Sequence, residues 1–309
     1  MWFVYALITT LAWGIADLFY KKGADDSEKY THLKTAIMVG AVMGIHAIIT
    51  LITKDIDYNP INLLVYLPVS LMYIISMIFG YFGLRYLELS ISSPIQNSSG
   101  AVCCLLCLIF LGQKMDAVSA AAVIAICLGV FLLGVFEKQK QNAYVAEHDK
   151  KYKIGFVAFL MPILYCIIDS LGTFFDAYYL DDFATTPLVG ATADNFEDVA
   201  NISYELTFLL CGIILFIYIK FIKKEKFGLF AQKDRAAAAL FETAGQATYV
   251  YAMSGMAVVA APMIASYSIV SLILSRIFLK EKLSAKQYVA VAIVMLGIAA
   301  LGLAEGLAE

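Results

Sequence analysis

PMIASYSIVSLILSRIFLKEKLSAKQYVAVAIVMLGIAALG, residues 262–302, reads as an apolar helix, a short charged turn and a second apolar helix. PIQNSSGAVCCLLCLIFLGQKMDAVSAAAVIAICLGVFLLG, residues 94–134, lies 168 positions upstream. Aligned without a gap, the two 41-residue stretches share 15 identities. These include Pro94/Pro262, Ser98/Ser266, Ile109-Phe110-Leu111/Ile277-Phe278-Leu279, Lys114/Lys282, Gly129/Gly297 and Gly134/Gly302. Apolar low-complexity sequence gives chance matches, but matched prolines, glycines and a turn lysine do not follow from composition. The chain reads as an internal duplication.

The rest of the chain has the same texture. Of 309 residues, 61% are hydrophobic and 15% charged, with a mean hydropathy of +0.80. A soluble chain of this size carries more charge and alternates apolar with polar faces. Here apolar runs of about 20 residues recur, each able to cross roughly 30 Å of hydrocarbon as a helix. A transmembrane β-barrel would show short alternating segments instead. The segment from Trp2 to Tyr20 has no basic region before it and no small-residue cleavage site, so it reads as a retained span. The six cysteines all lie in apolar segments, and Cys104-x-x-Cys107 has no histidine near it in sequence to complete a zinc site.

Ten spans are predicted: 2–20, 33–53, 63–83, 92–112, 117–136, 155–177, 201–222, 236–254, 258–279 and 285–304. The fold class is therefore an all-α polytopic membrane protein, with ten transmembrane helices as two inverted five-helix repeats. Residues 1–136 form the first repeat, 137–154 a charged cytoplasmic linker, and 155–309 the second repeat. An odd number of spans per half forces the second half to insert upside down, the layout of many secondary transporters. Of the 22 Lys and Arg residues, all but Lys54 and Lys114 lie in the connections that follow odd-numbered spans or in the span ends bordering them. The positive-inside rule puts those connections in the cytoplasm and both termini outside. The 178–200 connection, acidic and free of Lys and Arg, would face outward over the mouth.

At these residues the chain resembles the drug/metabolite transporter superfamily, in particular its ten-helix EamA-type members, over essentially its whole length. Trp13-Gly14 is similar to that family's first-helix signature. Pro94 and Pro262 resemble the prolines of the fourth helix of each half. Glu281-Lys282-Leu283-Ser284, followed by Leu296-Gly297, resembles the family's acidic-basic turn and closing-helix glycine. The departures are Gln113 where the second copy has Glu281, alanines at Ala122 and Ala290, and Tyr165-Cys166 in place of Trp13-Gly14. Relatives are often drawn with both termini cytoplasmic, which the charge distribution opposes. The resemblance implies two five-helix halves and transport of a small molecule. It leaves the substrate open.

An ionisable side chain at a helix centre costs about 2.5–3.5 kcal/mol on insertion scales, so it faces a wet cavity or a partner. Three carboxylates stand out within spans: Asp17, Asp169 and Glu242. Trp13-x-x-x-Asp17 in the first span is echoed by Tyr165-x-x-x-Asp169 in the sixth, placing ring and carboxylate on one helix face in each half. The bland alternative has Asp17 pairing with Lys21 or Lys22 and Asp169 bonding a hydroxyl. Glu242, Gln246 and Tyr249 form a polar stripe at i, i+4, i+7, which lipid disfavours. A helix–helix bond from Glu242 to Arg235 or Tyr251 is the competing reading. After Pro94 come Asn97, Ser98 and Ser99; after Pro262 come Ser266, Tyr267 and Ser268. Hydroxyls there serve either a freed carbonyl, a ligand or helix packing. His46 reads as structural.

Candidate substrate-binding residues are thus Trp13, Asp17, Asn97, Tyr165, Asp169, Glu242, Gln246, Tyr249 and Tyr267. No Lys or Arg falls in the middle of a span, which disfavours phosphorylated substrates. Carboxylates among aromatic rings suit an ammonium group, and the same carboxylates can carry a proton. The expected function is secondary transport of a small neutral or cationic organic metabolite, proton-coupled and without cofactor or metal. The expected partners are the bilayer, the substrate and the proton. No nucleic acid is expected, and a homodimer is compatible with this reading. The absence of a targeting signal fits a bacterial inner membrane. A membrane-embedded enzyme is the first alternative, but no Ser/His pairing, Gly-x-Gly-Asp or His-Glu-x-x-His supports it. A non-transporting receptor or scaffold is the second.

Overall fold

A computed structural model describes residues 1–25, 28–147 and 155–308, and every regular element among them is helical. In chain order these are α1 (Trp2–Gly23), α2 (Thr31–Thr53), α3 (Asn62–Val65), α4 (Leu67–Gly83), α5 (Leu89–Gln96), α6 (Ser99–Leu106) and α7 (Ala117–Glu147). They continue as α8 (Gly155–Leu180), α9 (Phe196–Ile217), α10 (Lys233–Met253), α11 (Ala257–Ala265), α12 (Tyr267–Leu274) and α13 (Ala285–Ala308). Among the described residues, seven helical stretches are long and apolar enough to cross a membrane, and Leu67–Gly83 and Ala117–Leu133 are shorter apolar helices. The protein is a multi-pass helical membrane protein.

Two elements depart from the sequence reading. The stretches read as single spans, 92–112 and 258–279, are each broken near the middle. Pro94 lies inside α5 and Pro262 inside α11, where each removes a helix hydrogen bond and leaves a carbonyl to be satisfied. The helix tightens a few residues on. Ser98 N donates to Ile95 O, and Ser266 N donates to Met263 O, three residues back. The Ser98 hydroxyl takes the Pro94 carbonyl at 3.1 Å, and the Ser266 hydroxyl takes that of Met263. The second departure is α7, which continues to Glu147 through much of the segment read as a linker. Residues 148–154 of that segment lie outside the described residues.

Local geometry repeats with the sequence. Cys107–Leu111 and Ser275–Leu279 each widen into a π turn, and each ends on a left-handed residue, Gly112 (φ 64°) and Lys280 (φ 59°). The positions are again 168 apart. Packing repeats as well. α1 lies on α10 and α4 on α8; α2 lies on α9 and α7 on α13; α5 lies on α12 and α6 on α11. At the α7–α13 contact, a Cβ on Gly129 would fall 2.2 Å from Val294 Cγ2 and 3.1 Å from the Ala290 carbonyl. One on Gly297 would fall 2.7 Å from Ile126 Cγ1 and 2.9 Å from the Ala122 carbonyl. Both glycines are needed because each half presents its glycine to the other half's backbone. The carbonyls they approach belong to Ala122 and Ala290, the alanines noted as departures.

The broken span Ala257–Leu279 is the most enclosed, with 83% of its apolar window buried, against 28% for Phe196–Ile222 and for Ala285–Ala304. α10 is the least apolar of the long helices, and α1, α2 and α9 pack around it. That shielding lets it carry Arg235, Glu242 and Gln246 in a membrane protein.

Candidate functional site

A cavity lies between the halves, walled by α1, α4, α5, α6, α8, α9, α10, α11 and α12. Eight of the nine candidate residues line it: Trp13, Asp17, Asn97, Tyr165, Asp169, Glu242, Tyr249 and Tyr267. Gln246 is buried but is not among the lining residues.

The two aromatic–carboxylate arms are built alike. Trp13 lies against Gly245 of α10, where an added Cβ would fall 2.4 Å from the indole Cδ1. Tyr165 lies against Gly80 of α4, where an added Cβ would fall 2.9 Å from the ring. Each half's first long helix thus presses its ring onto a glycine of the other half. One turn on, Asp17 Oδ2 accepts the Ser93 hydroxyl of α5 at 2.6 Å and the Ser271 hydroxyl of α12 at 2.7 Å. Asp169 Oδ2 accepts the Ser99 hydroxyl of α6 at 2.7 Å, with Ser76 and Tyr165 also at its carboxyl. Ser93, Ser99 and Ser271 come from the broken spans, so the breaks serve the carboxylates. Lys21 reaches the carbonyls of Leu84 and Leu87, both at 2.7 Å.

Rings complete the wall. Trp13 sits 5.1 Å from Tyr249 and 5.8 Å edge-on from Tyr267; Tyr20 and Tyr81 are 4.7 Å apart. Trp13 Nε1 donates to the Glu242 carbonyl at 3.2 Å, so the indole is fixed to α10. The Glu242 carboxylate faces Tyr20, Asp17 and Asp169. The lining holds three carboxylates and no Lys or Arg. Ionised carboxylates beside aromatic faces favour a cation, and the lining offers an anion hydrogen-bond donors but no basic side chain.

Both ends of the molecule are tied across the halves. At one end Arg235 Nη2 donates to Glu28 at 2.5 Å and to Thr31, and Nη1 donates to Gln232, while Lys34 pairs with Glu28 and donates to the Lys226 carbonyl at 2.9 Å. Burial raises the Glu28 carboxyl, but the Lys34 and Arg235 cations outweigh it and hold the group below its ordinary value. At the same end Glu281 accepts the Leu89 N–H at 3.1 Å, capping α5. At the other end Gln113 accepts the Val258 N–H at 2.8 Å, capping α11, and donates to Asp181. The Gln113/Glu281 exchange therefore preserves one role: each oxygen caps the other half's broken span.

Sequence reasoning missed part of the site. Five carboxylates are buried among the described residues, not three: Asp176 on α8 and Glu205 on α9 join the others. Both sit near the ends of predicted spans, where position in the sequence does not single them out. Glu205 binds His46 Nδ1 at 2.9 Å and Asn201 at 3.2 Å, so His46 tethers α2 to α9. Tyr20, Tyr73, Tyr81, Tyr204, Gln96, Ser99 and Thr173 also line the cavity, and isolated hydroxyls in apolar sequence carry no period to expose them. Among the described residues no group of His, Cys, Asp or Glu is arranged to hold a metal.

No curated protein matches the chain. A solved structure described only as "Crystal structure of protein" shares the fold, with a TM-score of 0.63 at 15% identity over 96% of this chain and 95% of that one. The family model for the EamA-like transporter family matches residues 1–135 and 185–303. With most of its length matched, the chain belongs to the EamA-like transporter family, within the drug/metabolite transporter superfamily.

Proposed function

We propose that the protein is a secondary active transporter of a small neutral or cationic organic metabolite (an amino acid, an amine or a drug-like molecule), coupled to protons. The observation that carries this reading is the cavity itself, with three carboxylates, no basic residue, and rings from both halves. Two inverted five-helix halves alternate in exposing it, a reading supported by the reciprocal pairing of helices and the matched breaks at Asn97–Ser98 and Ser266. Trp13, Tyr165, Tyr249 and Tyr267 contact the substrate, with Asn97 completing the polar wall and Gln246 buried behind it. Glu242 and Asp169 are the proton or cation sites, and Asp17 is their counterpart in the first half. The protein sits in a cell membrane, of the bacterial inner type, with both termini outside. Family membership supports transport over catalysis.

A thermal-shift panel on the purified protein tests the substrate class, since a ligand that binds the folded form raises its melting temperature. Quaternary amines, polyamines, neutral amino acids and phosphorylated sugars are compared at mildly acidic and mildly alkaline pH. Stabilisation by cations under alkaline but not acidic conditions is expected, because protons and cations compete for the carboxylates. Stabilisation by phosphorylated sugars alone would overturn the reading.

A further inference from the structure

Asp176 is a buried carboxylate outside the cavity wall, 1% exposed. It stands on α8 with Asp169 and Thr173 at i, i+4, i+7, so all three share one face. Its carboxylate accepts the hydroxyl of Tyr66, which joins α3 to α4, and the Tyr249 hydroxyl of α10 is also at it. The Tyr249 hydroxyl is 2.8 Å from that of Tyr73, which donates to Thr173 Oγ1 at 3.0 Å. Tyr73, Thr173 and Tyr249 line the cavity; Tyr66 and Asp176 do not. The network therefore separates the cavity from the end of the molecule that carries residues 181–195. It also joins α4 of the first half to α8 and α10 of the second.

The titratable groups facing Asp176 are Tyr66 and Tyr73 from the α3–α4 side, Tyr204 from α9, Tyr249 from α10, and Asp169 on its own helix. Among the described residues Asp176 makes no ion pair. Hydroxyl donors hold it, and hydrogen bonds to a charged acceptor are roughly twice as strong as neutral ones. A bound proton removes that advantage.

We propose that Asp176 is a proton-operated lock at this end of the cavity. Ionised, its carboxylate holds Tyr66 and Tyr249 and keeps α4 and α10 on α8. One proton from the adjacent aqueous phase converts it to the carboxylic acid, the bonds weaken, and this end opens; the proton leaves as the end closes again. The proposal rests on the alternating-access reading, but its test needs no substrate.

Amide hydrogen exchange on the purified full chain reads opening directly. Peptides covering 62–67 and 177–189 are followed at mildly acidic and mildly alkaline pH, with rates scaled for intrinsic exchange. The wild type should exchange about tenfold faster at acidic pH, matching the loss of a charge-assisted bond. Asp176→Asn should exchange fast at both, and Tyr66→Phe should exchange faster than wild type at alkaline pH while keeping a pH response. A pH-independent wild type, or an Asp176→Asn variant with the wild-type response, overturns the lock. If Asp176→Asn does not fold, a Tyr66→Phe variant that exchanges like wild type overturns it instead. A wild type that shows the lock response but moves no probe in liposomes would remove the transporter reading and leave the lock standing.

Discussion

The arm Trp13–Asp17 on α1 and the arm Tyr165–Asp169 on α8 make the same kind of contact but direct their polar atoms differently. Trp13 Nε1 is bound to the Glu242 carbonyl of α10, in the other half. The Tyr165 hydroxyl turns to Asp169 of its own helix. Asp17 is held by serines of both broken spans, Ser93 and Ser271. Asp169 is held by Ser99, with Ser76 and Tyr165 beside it. Both arms keep ring on glycine and serine on carboxylate. In one arm the ring N–H bonds α10 of the other half; in the other the ring hydroxyl bonds the carboxylate of its own helix, and that carboxylate is what reaches Ser99 and Ser76 of the other half. The two arms thus share a scaffold and differ in where the polar atom of the ring is bound.

The comparison can be broken most sharply at the glycines beneath the rings. Gly245→Ala drives a methyl into the indole at 2.4 Å and Gly80→Ala into the phenol ring at 2.9 Å. Overpacking costs about 1–3 kcal/mol. Gly245→Ala should fall at the upper end and Gly80→Ala at the lower, and melting curves in detergent check the order. Equal losses would mean the two arms are braced alike.

Removing the hydroxyls comes next. Ser271→Ala and Ser93→Ala each take one of two bonds from Asp17, and each should lower stability by about 1 kcal/mol. The double variant should lose more than the sum, because the carboxylate is then left without either donor. Ser99→Ala should cost less, since Asp169 keeps Tyr165 and Ser76. Double-mutant cycles measured by thermal unfolding separate these cases.

Two smaller effects sharpen the comparison of the paired turns. Gly112 and Lys280 occupy the same left-handed position, and only glycine does so without strain. Gly112→Ala should destabilise by about 1 kcal/mol, while Lys280→Gly should be neutral or stabilising by a few tenths. At the end tied by Arg235, Glu28 is held below its ordinary value of 4.5. Such a group adds stability that is present above its unfolded value and lost as the pH falls through the folded one. Glu28→Gln should therefore cost about 1 kcal/mol at neutral pH and nothing in acid well below pH 4. A difference that persists in strong acid would show that Glu28 acts by packing instead of charge.

Much of this was legible because the informative residues are chemically unlike their surroundings. Pro94 and Pro262, Gly129 and Gly297, and Trp13/Asp17 against Tyr165/Asp169 stand out from apolar sequence, and the structure puts each pair at matched positions. The breaks were not read, although their prolines were, because a membrane helix can carry a kinked proline and remain one helix. α7 runs past its predicted span because the charged segment from Lys138 to Glu147 contains Lys, Gln, Ala and Glu, which are good helix formers. Asp176 and Glu205 lie near span ends, where depth alone does not mark them, and helix packing buries them. Tyr20, Tyr81, Ser93 and Ser271 are ordinary membrane residues until tertiary contacts collect them.

In the proposed mechanism the cavity carboxylates couple protons to substrate movement. Its most direct test is uptake into liposomes containing only this protein under an imposed pH gradient, using whichever probe the thermal-shift panel finds stabilising. The wild type should accumulate the probe above its external concentration, and Glu242→Gln should reach only equilibrium while still exchanging it. Undiminished pH-driven accumulation by Glu242→Gln would contradict the account.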